Sequence, residues 1–223
     1  MSAERDEIAA HDDFDHEPTP GLPEALPEGE RVLWSGAPDW KAFALDVFHV
    51  RAIALYGLAI LVWRVGTTIY DGGGIGAAFG SATVLMVVFG VCLGLLAVLA
   101  LVTARSTRYT ITNRRVVMRI GVALTMSVNL PFKQILSANY RDTTLGTGGI
   151  ALSMAETGGL GYLVLWPHAR PFRISRPEPM LRGIKDGERV ARILSNALAA
   201  SHGRTAPELR VSAPVRSVKS VAA

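Results

Sequence analysis

A run of 30 residues without a charged side chain, from Ile75 to Ala104, is the feature that most limits what this chain can fold into. A helix needs only about 20 apolar residues to cross the hydrocarbon core of a bilayer. We therefore predict a transmembrane helix here that tilts or extends beyond the lipid. Hydrophobic residues make up 49% of the chain, and their concentration between residues 42 and 104 indicates membrane insertion rather than a large soluble core.

A second apolar run precedes this one, from about Val50 to Tyr70, behind the amphipathic stretch KAFALDVFH. Its length also fits one membrane crossing, and DGGG predicts a short turn between the two helices. The anomaly is Arg64, which lies close enough to the end of the run for its side chain to extend to the far interface. The alternative is that Trp63 and Arg64 contact a partner helix or a cofactor within the membrane.

The flanking charges predict the orientation of this hairpin. The linker between the two runs has no Lys or Arg, whereas Lys41 and Arg51 flank the start of the first run. Arg105, Arg108, Arg114 and Arg115 follow the second run. By the positive-inside rule, we expect a multi-pass protein of the cytoplasmic membrane with both termini in the cytoplasm.

Two glycine pairs lie within the long uncharged run, Gly76 with Gly80 and Gly90 with Gly94. Small residues four positions apart let helix backbones approach closely in lipid. They are interpreted as helix-packing residues. The contact is either within the hairpin itself or with a partner helix, for example in a homodimer.

From Arg105 the hydrophobic period changes to two, which is typical of β-strands. Tyr109 and Ile111 alternate with threonines, TNR predicts a turn and VVMRIG a returning strand. Leu124, Met126, Val128 and Leu130 then occupy one face of a further strand. The later strand candidates are QILSANYRD, GIALSMA, YLVLWP and PFRIS. Six or more short strands predict an antiparallel barrel or sandwich.

The barrel is followed by an amphipathic helix. One helical face carries Val190, Ile193, Leu194, Ala197 and Leu198, and Asp186 is a candidate N-cap. The predicted organisation is therefore an acidic disordered arm (1–28), a short strand with an amphipathic lead-in (29–49), a transmembrane hairpin (50–104), a β domain with its helix (105–202) and a disordered basic tail (203–223). The short strand before the hairpin would be unstable alone, so we expect it to join a sheet elsewhere.

No catalytic constellation is found in the sequence, and we expect neither enzyme activity nor a bound cofactor or metal. The five histidines are scattered without metal-ligand spacing. His49, at the entry to the first apolar run, is either an interface residue or a ligand for a pigment magnesium. The single cysteine, Cys92, lies within the second apolar run and is interpreted as a packing residue. The glycine-rich stretches lack the residues of a phosphate loop.

Charge is distributed unevenly. Residues 1–31 carry ten of the nineteen acidic residues, and from Arg105 onward 18 basic residues face six acidic ones. This pattern suits an anionic membrane leaflet, and no groove-reading helix indicates nucleic acid. Five arginines have two interpretations: Arg105, Arg108, Arg114, Arg115 and Arg119. They are solvated residues that fix the orientation of the hairpin, or they contact lipid headgroups, where each contributes about 1 kcal/mol to the free energy of membrane binding. Both interpretations can hold together.

The motifs YTITNRRVVMRIG and NLPFKQILSANY resemble two signatures of bacterial pleckstrin-homology (PH) domains. The resemblance implies a PH-like barrel or sandwich with one C-terminal capping helix. The stretch from GLPEALPEGERVLWSGAPDW into the first apolar run also resembles the photosynthetic-complex assembly proteins of purple bacteria.

That second resemblance implies a non-enzymatic factor for the reaction centre and its core light-harvesting antenna, with subunits of those complexes as partners and a homodimer as the expected state. The alternative is a general envelope protein whose PH-like domain binds lipid or another membrane protein. A transporter or membrane enzyme would need more spans or a reactive constellation.

Overall fold

The computed structural model describes residues 22, 25–122, 124–155 and 161–203. A short helix α1 (Trp40–Asp46) leads into two long helices, α2 (Val50–Tyr70) and α3 (Ile75–Ser106). Both long helices are long and apolar enough to cross a membrane, and only 6% of the most apolar window of each is buried within the protein. The predicted hairpin is therefore confirmed as structure, and most of its apolar surface faces outward. The predicted acidic arm and basic tail lie largely outside the described residues.

The two long helices pack through small residues at their shared face. A side chain on Gly57 would come within 2.7 Å of the Phe89 ring, so glycine is what permits this close approach. Ala78 and Ala82 are buried on α3. The Thr68 and Ser81 hydroxyls lie 3.3 Å apart across the same face.

The four glycines of α3 do not take part in this contact. A Cβ built on any one of them meets no atom within 4 Å. The interpretation that they pack within the hairpin is therefore wrong, because α2 lies on the side of α3 that carries the alanines. Their alternative role, against a partner helix, stays a prediction.

The C-terminal part of α3 extends beyond the start of α2. Val50 and Leu96 flank one small cluster of buried residues, in which Ala100 packs with Phe43 and Phe48. The rest of α3, to Ser106, therefore continues about 15 Å past the first turn of α2. The uncharged run is therefore longer than one membrane crossing because its C-terminal part connects the hairpin to a domain outside it.

That domain consists of two antiparallel sheets. The first has the order β1-β2-β3-β4 and the second β5-β6-β7. The strands are β1 (Val32–Gly36), β2 (Arg108–Thr112), β3 (Arg115–Ile120), β4 (Met126–Pro131), β5 (Ile135–Asp142), β6 (Thr147–Met154) and β7 (Met180–Lys185). One helix, α5 (Gly187–His202), packs against β5 and β6 and closes the core. The predicted PH-like domain with a C-terminal helix is confirmed.

The hairpin is inserted between the first two strands of the sheet. β1 lies before α1 in sequence, yet it pairs antiparallel with β2, with Trp34 opposite Ile111 and Gly36 opposite Tyr109. The expectation that the short strand joins a distant sheet is confirmed. Both chain connections to the hairpin therefore leave from neighbouring strands.

The core lies between the two sheets and α5. Tyr109, Ile111, Met118, Leu152 and Leu194 are among its fully buried side chains. The predicted apolar face of α5 is buried except at Ile193, which is half-buried. Asp186 occupies the N-cap position, but its backbone is left-handed (φ 54°) and its side chain makes no capping hydrogen bond.

Three strand predictions are wrong. Leu124 precedes β4 and is 87% exposed. YLVLWP forms a one-turn helix α4 (Tyr162–Leu165), and PFRIS forms turns and bends. Pro167, Pro171 and Pro177 supply no backbone N–H to a ladder, which is the physical reason that this region is not a strand.

The strand that the sequence did not indicate is β7. Its pairing with β6 shifts register between Leu181 and Ile184, where Gly183 has a φ of 62°. A bulge of this kind places two buried residues at a spacing of three, so the period of two is lost.

Candidate functional site at the junction of the hairpin and the β domain

α1 connects the hairpin to the β domain. The Asp39 carboxylate accepts hydrogen bonds from the backbone N–H groups of Lys41 (2.8 Å) and Ala42 (3.3 Å) and so caps the helix. The Asp39 backbone N–H donates to the Gly183 carbonyl of β7 at 2.8 Å. The Lys185 ammonium lies 3.5 Å from the same carboxylate. Burial raises the pKa of Asp39, but these hydrogen bonds and the Lys185 charge together lower it.

A fully buried histidine, His168, lies at the centre of the junction. Its Nδ1 lies 2.8 Å from the Tyr109 hydroxyl, and its Nε2 lies 3.2 Å from the Thr107 hydroxyl. The Arg182 backbone N–H donates to the Tyr109 oxygen, so that hydroxyl can donate its proton to Nδ1. We therefore assign the neutral tautomer with its proton on Nε2. Burial, reinforced by the Arg182 charge, lowers the pKa of His168 to about 3.

A cleft of about 690 Å³ opens beside this histidine, between the end of α1 and the second sheet. Its lining includes Asp46, His49, Arg141, Arg170, Phe172 and Arg182. Arg182 donates from Nη2 to the Ala169 carbonyl at 2.6 Å, whereas its buried Nε has no hydrogen-bond partner among the described residues. Arg170 is paired with Glu178 at 2.7 Å. Asp142 also lines the cleft, so arginine and carboxylate side chains share its surface.

Three of the five predicted headgroup arginines lie where β2 and β3 meet the hairpin. Arg105 is exposed in the last turn of α3, and Arg108 begins β2. Arg119 lies directly opposite Arg108 in the ladder. These three positions are the end of the first sheet nearest to the hairpin. Their contact with lipid headgroups stays a prediction.

The other two arginines lie at the opposite end of the same strands. Arg114 is exposed in the turn between β2 and β3. Arg115 forms a two-pronged ion pair with Glu30, Nε to Oε1 and Nη2 to Oε2, both 2.8 Å. The Glu30 side chain is 2% exposed. The headgroup role predicted for Arg115 is wrong, because its guanidinium is already paired and lies at the far end of β3 from Arg119.

The turn between β2 and β3 also forms hydrogen bonds with the residues that precede β1. The Thr112 hydroxyl donates to Glu30, and the Asn113 side chain bonds to the Arg31 N–H and to the Gly29 carbonyl. Burial raises the pKa of Glu30, but the hydrogen bonds from Arg115 and Thr112 outweigh it and lower the pKa. The TNRR motif therefore joins the β2–β3 turn to the segment that precedes β1.

The remaining predicted site residues lie on the outer surface of the hairpin. Trp63 is 74% exposed, and Arg64 is exposed beside it on α2. Neither faces α3, so their contact with a partner helix stays a prediction. His49 precedes α2 with a left-handed backbone and lines the cleft. Among the described residues, no group of three or more His, Cys, Asp or Glu side chains could hold a metal ion.

Sequence analysis did not single out Glu30, Asp39, His168 or Arg182. His168 occurs alone in a proline-containing stretch, and its partners come from β2 and β7. No local pattern marks such a residue. A signal for Glu30 was available, since an acid next to a strand candidate that needs a partner sheet suggests a complementary arginine.

Comparison with known proteins adds three findings. The family model described as bacterial PH domain matches residues 43–198, which include both long helices. A 23.7 kDa protein of Rhodobacter capsulatus, described as an uncharacterized protein in the puhA 5′ region, is 41% identical over 189 residues. These residues cover 84% of this chain and 88% of that protein. No solved structure matches the chain.

Proposed function

This chain belongs to the bacterial PH domain family, and from that premise we propose that it is a non-enzymatic membrane assembly factor of the PuhB type. The complexes that it helps to assemble are the photosynthetic reaction centre and its core light-harvesting antenna. The observation that carries this proposal is the relative encoded in the 5′ region of puhA, a photosynthesis gene. The similarity covers 84% of this chain and 88% of that protein, which supports the transfer of the gene's context to this chain.

The free face of the hairpin supports a role in binding membrane subunits. With 3.6 residues per turn, Gly76, Gly80, Gly90 and Gly94 fall within about 80° of one another on α3. Ala78 and Ala82, which face α2, lie on roughly the opposite side. The glycine face is open, and small residues are what close helix packing in lipid requires. We assign it to a helix of an antenna or reaction-centre subunit.

The charge distribution supports one orientation of the hairpin and its β domain in the cytoplasmic membrane. In this proposal the β domain and both termini are cytoplasmic, because arginines flank the two helices on that side. Arg105, Arg108 and Arg119 then face the anionic leaflet. The hairpin binds its partner in the membrane, and the β domain remains beside the same partner at the surface.

Co-purification tests the proposal. Tagged protein extracted from photosynthetic membranes in mild detergent should bring down antenna or reaction-centre subunits. The variant Gly76→Leu/Gly80→Leu and the variant Gly90→Leu/Gly94→Leu should each lose most of this material. Gly66→Leu on α2 is the matched control, because its position is equally open. Unchanged capture by both double variants would contradict the glycine face, and absence of photosynthetic subunits would contradict the function.

Deletion of the gene provides a second test. Assembled reaction centre and core antenna should fall several-fold, while pigment synthesis continues, because no catalytic role in pigment formation is proposed. Normal complex levels in the deletion strain would overturn the assembly function. Crosslinking of two copies through α3 tests the homodimer separately.

A general envelope protein that binds lipid is the second candidate, and the buried Arg182 Nε beside the cleft, which has no hydrogen-bond partner among the described residues, favours it. Under that function the tagged protein would retain anionic lipid but no photosynthetic subunit. The same purification therefore distinguishes the two candidates.

A further inference from the structure

The segment between β6 and β7 exposes an unusual amount of apolar surface. We call residues 161–177 the apolar segment. Leu163 is 86% exposed, Phe172 98% and Ile174 72%, and about half of the Val164 and Trp166 surfaces is also exposed. Several large apolar side chains exposed within one short segment indicate a binding or membrane-contact region.

The interior of the same segment is anchored in the protein. Leu165 is fully buried in the main core, and His168 is held by the Tyr109 and Thr107 hydroxyls. Ala169 forms a bridge with Pro179, and the Arg170 backbone N–H donates to the Glu178 carbonyl. The exposed side chains are therefore presented by an anchored backbone.

Two contacts place the segment at the level where the membrane helices begin. The Trp166 ring lies 6.0 Å from the Phe48 ring in an edge-on arrangement. Phe172 lines the same cleft as His49. Phe48 and His49 directly precede Val50, the first residue of α2. Trp166 and Phe172 thus lie near the level at which α2 begins, and Leu163 and Ile174 are within three residues of them in sequence.

The charges of the segment complement an anionic surface. Residues 161–177 contain Arg170, Arg173 and Arg176 but no acidic residue. The buried Glu178, just beyond the segment, pairs with Arg170 at 2.7 Å and lies 3.6 Å from the Arg173 guanidinium. Arg173 and Arg176 are both exposed, so the segment keeps an excess of positive charge at its surface. Apolar side chains flanked by arginines are the composition of segments that lie in the headgroup region of an anionic leaflet.

We propose that the apolar segment inserts Leu163, Trp166, Phe172 and Ile174 into the cytoplasmic leaflet beside α2 and forms a third membrane contact. Like an interfacial helix, it reaches about 5–10 Å into the boundary between headgroups and acyl chains. The occupant of this surface is lipid, because the surface continues directly from the start of α2. The inference requires that the hairpin spans the membrane, but it does not depend on the photosynthetic role.

Depth-dependent labelling of the full chain tests the insertion. Cys92 is first replaced by Ala, and single cysteines are then introduced by Phe172→Cys, Leu163→Cys or Lys133→Cys. Each variant is labelled with the environment-sensitive dye NBD and placed in nanodiscs that contain phosphatidylglycerol. Lys133 is the control, since its neighbour Phe132 bonds to the Arg114 carbonyl at the far end of the first sheet. Phe172 and Leu163 are exposed, so their replacement leaves the core intact.

The insertion predicts blue-shifted NBD emission at positions 163 and 172, quenching by brominated acyl chains, and iodide quenching several-fold weaker than at position 133. Equal iodide quenching at the three positions would overturn the proposal. Shielding that occurs in native membranes but not in nanodiscs of lipid alone would also overturn it and would assign the surface to a partner protein. Neither outcome bears on capture of photosynthetic subunits, so the two proposals fail independently.

Discussion

Arg115 shares a strand pair with Arg108 and Arg119, yet it performs a different task. Its guanidinium is held by Glu30, whose carboxylate lies 85 residues earlier in the chain. Arg108 and Arg119 lie opposite each other at the other end of the ladder. The role of each arginine therefore depends on which end of the strand it occupies, and on whether the fold brings an acid to it.

The Glu30 pair gives a prediction about stability. Glu30→Gln removes the charge but keeps the size, and leaves the Arg115 guanidinium without its carboxylate. We expect a loss of about 2 kcal/mol in the free energy of unfolding, typical of a hydrogen-bonded charge with little solvent access. Thermal unfolding followed by circular dichroism in detergent measures it.

The control for this change is Glu188→Gln, because Glu188 pairs with Arg192 on the exposed face of α5. Such surface pairs contribute between zero and about 1 kcal/mol. Equal losses for the two variants would mean that the Glu30 pair does not fasten the chain to the β2–β3 turn.

His168 gives a prediction about pH. The unfolded chain binds a proton at this residue near pH 6.5, whereas the folded protein does so only near pH 3. Stability from this group is complete above pH 6.5 and is lost as the pH falls, at up to about 1.4 kcal/mol per pH unit. Unfolding should be measured between pH 7.5 and 5.

His168→Gln should be less stable at pH 7.5, because the Tyr109 and Thr107 bonds are altered, but it should lose little more stability on acidification to pH 5. His202→Gln, at the exposed end of α5, should retain the slope of the original protein. If His168→Gln keeps the full slope, the titrating group lies elsewhere.

At the scale of elements, the two long helices contact each other through one face of α3 and leave the opposite face open. Gly57, rather than the two glycine pairs, allows α2 to approach Phe89. A glycine pair identifies residues that permit close packing, but it does not identify the neighbour. Sequence patterns also fail for β7, because its bulge breaks the alternation of buried and exposed residues that indicates a strand.

Alanine substitutions on α2 test the helix contact. Gly57→Ala should destabilise the hairpin by about 1 kcal/mol or more, because its Cβ would lie 2.7 Å from the Phe89 ring and force it to move. Gly66→Ala meets no neighbour, and we expect it to be neutral or slightly stabilising. The midpoint of thermal unfolding in one detergent compares the two. A reversed order would show that α2 does not pack on α3 through Gly57.

At the scale of the whole molecule, the hairpin is an insertion between β1 and β2 rather than an appended anchor. Both connections to the hairpin leave from one edge of the first sheet, and α1 and the end of α3 pack together below them. The β domain is therefore held at a fixed position beside the hairpin. This arrangement fits the proposed function, in which the hairpin and the β domain contact the same partner.

The proposed orientation can be tested by labelling of single cysteines in intact cells. In a Cys92→Ala background, Asp71→Cys in the exposed turn between the long helices should react with a membrane-impermeant maleimide in spheroplasts. Lys133→Cys in the β domain should react only after permeabilisation. Labelling of Lys133→Cys in intact spheroplasts would reverse the orientation and place the β domain in the periplasm.

The sequence by itself determined the two long helices, strands β1 to β6 and the final helix, because each has a local pattern of strand-forming residues, a hydrophobic period or an uncharged length that is a property of neighbouring residues. The tertiary structure alone decided that Glu30 holds Arg115, that His168 is neutral in the core, and that the glycines of α3 face away from α2. These features come from contacts between residues far apart in sequence. Burial and partner choice are set by the packing of whole elements, which no local pattern specifies.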